Sequence, residues 1–287
     1  MKKKTGMTNL NKKNKLNISI IICAYKNTPI LKLCLEAIKE KFSGNFKFEV
    51  LVIDIEANEK NRDLVLEDFS EFRYIPLKNN VGFAKALNYG IKKSGGFIIL
   101  SLNPDIIIKK DSIEILYKYA LKNKNLGILG PKLLNFNGSR QVSAFNFYTP
   151  LTIVYRRTFL GRSFFGKKSL KKFQVKVNDK KPNKIKGWLM GSAMMLRRDN
   201  LEKVGLMDER YFMYFEDVDW CRRFWESGFD IVYHPKAKMF HYHTKMSASK
   251  SIFSLIFNKM TFIHFLSGIK YFWKFKGWKV KKKTKKS

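Results

Sequence analysis

The chain has 287 residues, with 57 Lys and Arg against 23 Asp and Glu, a formal net charge of +34. A hydrophobic share of 45% and an aromatic share of 15% supply a core, which excludes a disordered nucleic-acid-condensing tail and admits one large domain or two small ones. Such charge calls for an anionic partner, whether nucleic acid, an acidic lipid surface or a phosphorylated small molecule, and composition does not choose among them.

Cys23, Cys34 and Cys221 are odd in number and form no CxxC pair, so neither a disulfide framework nor a cysteine zinc site is expected, and a reducing cytosol fits best. Residues 1–15 are polar and lysine-rich, expected to be a basic disordered segment, and no signal-peptide-like apolar stretch follows them. The most apolar late stretch, 252–275, is broken by Lys259, His264, Lys270 and Lys274, so no membrane-spanning segment is expected.

From residue 17 onward, short apolar runs alternate with helical patterns. Residues 17–24 (NISIIICA) read as a buried strand and 28–41 as a helix; 48–54 (FEVLVID) is a second strand, followed by a charged helical stretch over 60–72. A short strand at 73–77, a helix at 82–93 and a strand at 97–102 lead to Asn103-Pro104-Asp105. The alternation predicts βαβ units and a mostly parallel, Rossmann-like α/β sheet flanked by helices. Ligands of such sheets sit beyond the carboxyl ends of the strands, which directs attention to 24–27, 54–58 and 103–105. Residues 135–186 show no clear period and read as loop and acceptor-facing insertion. Order returns at 185–197 and 209–215, then a helix over 216–227 ended by Gly228, and a last strand at 229–234. The expected division is a catalytic domain over 16–250 and an amphipathic, basic tail over 251–287.

Three constellations carry chemistry. Asp105 stands at the carboxyl edge of the sheet in a Pro-fixed turn, where a hard cation would bridge it to a diphosphate, although Asn-Pro-Asp is also common turn chemistry. Glu216, Asp217 and Asp219 open a helix, where carboxylates complement the macrodipole; the apolar YFMYF before them would desolvate them and raise a pKa, as a general base requires. His241 and His243 alternate, so on a strand they share one face, suited to a metal or a phosphate. The GxxxxGK match at 161–167 is rejected, because Lys168 stands where a magnesium-binding Ser or Thr belongs and no strand precedes it.

Read in order, SIIICAYKN with LCLEAI, VID, NNVGFAKALNYGI, LSLNPD, GSAMMLRR, GLMDERYFMYFEDVDWCRR and VYHPKAKMFHYHTKMS resemble the family 2 glycosyltransferases, most closely rhamnosyltransferase-like members. The resemblance spans residues 17–249 and implies a GT-A fold, a nucleotide-sugar donor, a divalent metal (Mg2+ or Mn2+) and inversion at the anomeric carbon. It places Ala24, Tyr25 and Asp54 against the nucleotide, Asn80 and Gly82 at the turn into the donor-site helix, and Asn88 on that helix. It makes Asp105 a metal ligand, puts Asn103 in the position of the first acid of a DXD-type motif, and makes Asp217 the catalytic base. Arg223 ends the donor-side signature, His241 lies near the diphosphate and metal, and Trp188 and Glu216 are expected at the acceptor. Lys26, Ile55 and Glu56 depart from the family pattern around the base and ribose, and neutral Asn103 removes one charge from the metal site.

The implied partners are a nucleotide sugar, a lipid-linked or polysaccharide acceptor and an anionic membrane surface, with the protein peripheral at the cytoplasmic face and no specific nucleic acid bound. Residues 252–266 would supply the apolar surface and 270–286 the charge. Two rivals stand beside this reading. A nucleic-acid or anionic-lipid binding protein explains the clusters at 1–15, 156–186 and 270–286 but needs no carboxylates at loop ends. A nucleotidyltransferase would want a glycine-rich loop after the first strand, and CAYKNTP has no glycine.

Overall fold

The computed structural model describes residues 16–42, 46–242 and 259–281. The expectations for 1–15, for His243, for 252–257 and for the last lysines fall outside these residues.

The amino-terminal half follows the βαβ pattern. Strand β1 (Ile18–Ala24) is buried along its whole length, and β2 (Phe48–Asp54) pairs with it in parallel. Between them α1 (Thr28–Lys41) starts at Asn27, whose side chain accepts from the Ile30 amide, with Pro29 in the first turn. Its apolar face buries Leu31, Cys34, Leu35 and Ile38. The charged stretch after β2 forms a short α2 (Glu59–Asp63) that widens into a π turn over Leu64–Asp68. Strand β3 (Arg73–Pro76), helix α3 (Phe83–Lys93) and β4 (Ile98–Leu102) complete this half.

Strand β5 (Ile106–Ile108), α4 (Ser112–Lys122) and β6 (Leu126–Leu134) follow. The stretch read as patternless contains β7 (Ala144–Asn146), α5 (Pro150–Arg157), α6 (Phe164–Phe173) and β8 (Asn183–Ile185). Its two helices are short and basic, and much of their apolar surface faces outward, which hides the period from sequence. Strands β9 (Gly187–Leu189) and β10 (Ala193–Arg197), helices α7 (Arg198–Val204) and α8 (Glu216–Glu226), strand β11 (Asp230–His241) and α9 (Lys259–Lys274) close the chain.

The main sheet runs β3-β2-β1-β4-β10-β6-β11-β5, with β8 also on β11. Pairings are parallel from β3 through β4 and between β6 and β11, whereas β10 is antiparallel to both its neighbours and β5 and β8 are antiparallel to β11. The sheet is therefore mixed, and the parallel expectation holds for its first half. Strand β11 continues past the expected end at 234 to His241, with a register shift between His234 and Lys238. One apolar cluster covers each face of the sheet.

The carboxyl-terminal helix is part of the folded body. Tyr271 is fully buried, the Ser267 hydroxyl donates to the Met213 carbonyl, and Lys274 pairs with Asp208 at 2.7 Å and Asp219 at 2.5 Å. Against the upward pull of burial, hydrogen bonds from Arg210 and Lys274 hold the Asp208 carboxyl below the ordinary carboxylate range. The helix thus clamps the loop that leads into α8.

Candidate active site

The turn after β4 carries the first carboxylate. The Asn103 amide donates to the Ser192 carbonyl at 2.8 Å, its own carbonyl accepts from Ile106, and the Asp105 carbonyl accepts from Tyr242. These bonds fix the turn between β10 and β11. Asp105 Oδ2 lies 3.5 Å from His241 Nε2, and its buried Oδ1 has no hydrogen-bond partner. Burial pushes its pKa up to about 6. Asp105 Oδ1 thus lacks the donors that normally stabilise a buried carboxylate, which is a condition a cation would relieve.

The imidazole is oriented by a residue that sequence reading missed. Gln141 Oε1 lies 2.6 Å from His241 Nδ1, and Gln141 Nε2 donates to Asn135 Oδ1. Asn135 in turn donates through Nδ2 to Ser139. The chain of donors assigns a proton to Nδ1 of His241, which leaves Nε2, when unprotonated, as an acceptor beside Asp105. Among the described residues no group of three or more His, Cys, Asp or Glu side chains could hold a metal. The protein set fits a hard divalent ion that takes its remaining oxygens from a diphosphate and water.

Asp217 sits in the first turn of α8. Its Oδ2 accepts from the Gly191 amide at 3.0 Å and its Oδ1 from the Val218 amide at 2.8 Å. Burial pushes its pKa up to about 6, against the pull of those two amides and of nearby Arg156. Glu216 beside it is buried, its Oε2 has no hydrogen-bond partner, and burial followed by the Asp217 charge raises its pKa well above the usual value. Backbone strain is concentrated here, since consecutive Tyr214 and Phe215 both adopt φ of +68° immediately before the carboxylates.

Consecutive residues join the two carboxylate-bearing turns. Gly191 holds Asp217 and Ser192 holds the Asn103 turn, so the β9–β10 connection touches both carboxylate-bearing turns. A Cβ on Gly191 would lie 3.2 Å from the Asp217 Cβ.

The remaining expected residues divide by what they touch. Asp54 is fully buried; its Oδ2 accepts from the Asn58 amide, Asn61 Nδ2 and the Tyr74 hydroxyl, while Oδ1 has no hydrogen-bond partner. Burial raises its pKa in spite of these donors. The Ala24 carbonyl accepts from the Ile55 amide, tying β1 to the Asp54 edge. Tyr25 is exposed, with the Lys26 ammonium 5.1 Å from its ring centroid, and Lys26 also pairs with Glu56 at 3.3 Å. Asn80 accepts from the Gly82 amide, and Gly82 has φ +81° with its Cα against the Phe212 backbone, where a Cβ would meet the carbonyl oxygen at 2.4 Å.

Four of the expected residues are engaged in contacts within the protein. The Asn88 amide group bonds Met207 in both directions and Glu209, so it anchors the 207–209 loop. Arg223 pairs with Asp219 and donates to the carbonyls of Val204, Gly205 and Leu206, so it braces the same loop from below. Trp188 is buried in an aromatic nest with Phe145, Tyr148 and Phe173, and its indole N–H donates to the Asn146 carbonyl. Glu216 is buried behind Asp217 rather than presented to an acceptor. Arg156 from α5, unforeseen because its segment read as loop, lies over the nest and donates to the Tyr148 hydroxyl.

The chain matches the model of Glycosyl transferase family 2 over residues 19–205. It is 27% identical over 221 residues to the N-acetylglucosaminyl-diphospho-decaprenol L-rhamnosyltransferase of Mycobacterium tuberculosis, covering 67% of this chain and 66% of that protein. It is 28% identical over 211 residues to the low-salt glycan biosynthesis hexosyltransferase Agl10 of Haloferax volcanii, covering 72% and 61%. It is also 28% identical over 195 residues to the dTDP-rhamnosyl transferase RfbF of Shigella flexneri, covering 67% and 59%. The match therefore spans about two thirds of these relatives or less. Among solved structures, the mannosyltransferase PcManGT of Pyrobaculum calidifontis, in complex with GDP-Man and Mn2+, superposes with TM-score 0.56 at 16% identity, covering 90% of this chain and 65% of that one. GalNAc-T7 with UDP, GalNAc and Mn2+ gives TM-score 0.60 at 15% identity, covering 82% and 45%. These likenesses show the GT-A fold.

Proposed function

Because the chain belongs to glycosyl transferase family 2, we propose that the cleft between Asp105 and Asp217 transfers a sugar, rhamnose by preference, from a nucleotide-diphosphate donor to a lipid-linked or polysaccharide acceptor in cell-surface glycan synthesis. The observation that carries the proposal is the pair of desolvated carboxylates, each pushed up to about 6, whose turns are tied to the consecutive residues Gly191 and Ser192. The two kinds of need in glycosyl transfer are charge stabilisation at the leaving diphosphate and proton removal from the incoming hydroxyl.

Asp105 and His241 would hold a divalent metal, Mg2+ or Mn2+, which neutralises charge on the departing diphosphate. Asp54, with one oxygen saturated by donors and the other without a partner, is the group proposed to read the nucleoside, with Ala24 and Tyr25 beside it. Asn80 and Gly82 shape the entry to α3, while Asn88 and Arg223 act on the donor side only by holding the 204–209 loop. Asp217 takes the acceptor proton as the acceptor oxygen bonds to the anomeric carbon and the bond to the diphosphate breaks. A base on the face opposite the leaving group gives inversion in a single displacement, with no second carboxylate needed as nucleophile. The Gly191 and Val218 amides hold the Asp217 oxygens in place, and burial raises the pKa of Glu216, which disfavours a second negative charge behind the base.

The relative from M. tuberculosis supports a polyprenyl-diphosphate acceptor, and the charge of the chain supports work at the cytoplasmic face of a membrane. No helix among the described residues is long and apolar enough to cross one. A nucleic-acid binding role has no account of the Asp105 and Asp217 turns. Purified protein screened by thermal shift against nucleotide sugars, with and without Mn2+, tests the reading. A donor at 100 times its Kd stabilises by about 2.7 kcal/mol. Stabilisation by one nucleotide class only, dependent on Mn2+, is expected; no response to any nucleotide sugar would end the proposal.

A further inference from the structure

Helix α9 buries one stripe, Thr261, His264, Ser267 and Tyr271, against the body of the protein. A second stripe, Phe262, Phe265, Leu266, Ile269 and Trp273, repeats at three- and four-residue spacing on another face and is exposed, Trp273 to 82%. A helix that is apolar on both faces is normally buried on both. Next to it, Ile153 of α5 lies against Gly268 of α9. The hairpin formed by α5 and α6 exposes Leu151, Val154, Phe159 and Leu160, and at its far end Phe164 at 74% and Phe165 at 72%. Large aromatic side chains at such exposure, on two elements in contact, form an apolar surface beyond what scattered surface residues explain.

The two segments that form this surface carry charge of one sign. Residues 150–178 and 259–281 contain no Asp or Glu. Arg162, Lys167, Lys168, Lys171 and Lys172 on the hairpin are exposed, as are Lys276, Lys279 and Lys281 after α9. Aromatic and aliphatic side chains beside exposed lysines match the two layers of an anionic lipid surface, acyl boundary and headgroup. A partner protein would need only the apolar part.

We propose that the α5–α6 hairpin and the outer face of α9 together form one docking surface for an anionic lipid bilayer, lying in the interface without crossing it. This deepens the reading above and rests on it for the nature of the acceptor. The geometry adds a link between bilayer and chemistry. Helix α5 turns Leu151 and Val154 to solvent while Arg156, on the same helix, reaches the Tyr148 hydroxyl and acts on the Asp217 carboxyl. Helix α9, on its inner face, grips the 208–213 loop that leads to Asp217. A surface so placed would present a diphosphate at the headgroup level to Arg156 and a sugar hydroxyl to Asp217.

The test uses the full chain and vesicles of phosphatidylcholine with or without phosphatidylglycerol, read by flotation. Wild type should float with the anionic vesicles and much less with the neutral ones, and high salt should release it. The double variants Phe164→Ser with Phe165→Ser, and Phe265→Ser with Ile269→Ser, should each weaken partitioning by about tenfold or more. Vesicles carrying brominated acyl chains should quench tryptophan fluorescence, with the quench reduced in Trp273→Phe. Binding of a nucleoside diphosphate with Mn2+ should be unchanged in every variant, which reports that each is folded. A hairpin variant that floats like wild type would remove the hairpin from the surface. Wild type that binds nucleotide but no vesicles would overturn the inference and leave the transferase reading intact; vesicle binding without any nucleotide binding would do the reverse. A dimer in sedimentation, dissolved by the same substitutions in a protein that does not float, would mean that the face serves self-association instead.

Discussion

Asp217 illustrates how a carboxylate is prepared for proton transfer. Two backbone amides hold its oxygens, yet burial wins and lifts its pKa to about 6. A carboxyl raised in the folded state contributes stability that is fully present below its unfolded pKa and lost as pH rises through the folded value. The stability of Asp217→Asn relative to wild type should therefore rise by up to about 3 kcal/mol between about pH 4 and about pH 8, as followed by thermal denaturation across pH. Equal stability at both ends would deny the desolvation. Gln141 works on the other side of the cleft. Replacing it with Leu removes the acceptor that fixes the His241 Nδ1 proton, and Mn2+-dependent nucleoside-diphosphate affinity, measured by calorimetry, should fall by about 10–100-fold. Asp105→Ala should weaken the same binding with Mn2+ present and have little effect in EDTA; equal losses in both would make Asp105 a folding residue. Of these groups, Asp105, Asp217 and His241 are legible in sequence because each ends or begins an apolar run. Gln141 and Arg156 are not, because Gln141 meets His241 across 100 residues of chain and Arg156 acts on Asp217 from about sixty residues away. No local pattern marks a side chain whose partner lies that far away.

The elements that place these groups were legible where burial imposes a period. Strands β1, β2 and β4 are mostly apolar because both faces of the sheet are covered, and their ends match the reading to within a residue. The α5–α6 hairpin was not legible, since its apolar side chains face outward and follow no core-facing stripe. Residues 251–287 were expected as a membrane-associating tail; within them the inner face of helix α9 packs into the body, and Phe262, Phe265 and Leu266 are exposed. The 204–215 loop depends on several elements at once, with Asn88 from α3, Arg223 from α8 and Lys270 and Lys274 from α9 all holding it. Gly82 is the tightest of these contacts. A methyl group there would lie 2.4 Å from the Phe212 carbonyl oxygen, and the φ of +81° already disfavours any side chain. Gly82→Ala should cost roughly 1–3 kcal/mol in denaturant unfolding and reduce nucleotide affinity, because α3 and the loop must separate. A variant of wild-type stability would mean that the loop yields freely.

Along the sequence, the Lys and Arg residues cluster at 1–15, 156–186 and 270–286. The parallel half carries Asp54, the antiparallel insertion of β10 carries the Gly191-Ser192 turn, and β11 brings His241 back beside Asp105. A purely parallel sheet would not bring the β9–β10 turn between the two carboxylates, so the mixed topology is what assembles the cleft. The measurement to make is nucleoside-diphosphate release from the nucleotide sugar selected by thermal shift, in the presence of Mn2+ and a lipid-linked acceptor, comparing wild type with Asp217→Asn. The variant should bind donor with near wild-type affinity and lose about 10²–10⁴-fold in kcat. If it retains more than about a tenth of wild-type kcat, Asp217 is not the base and the proposed chemistry of this cleft is wrong.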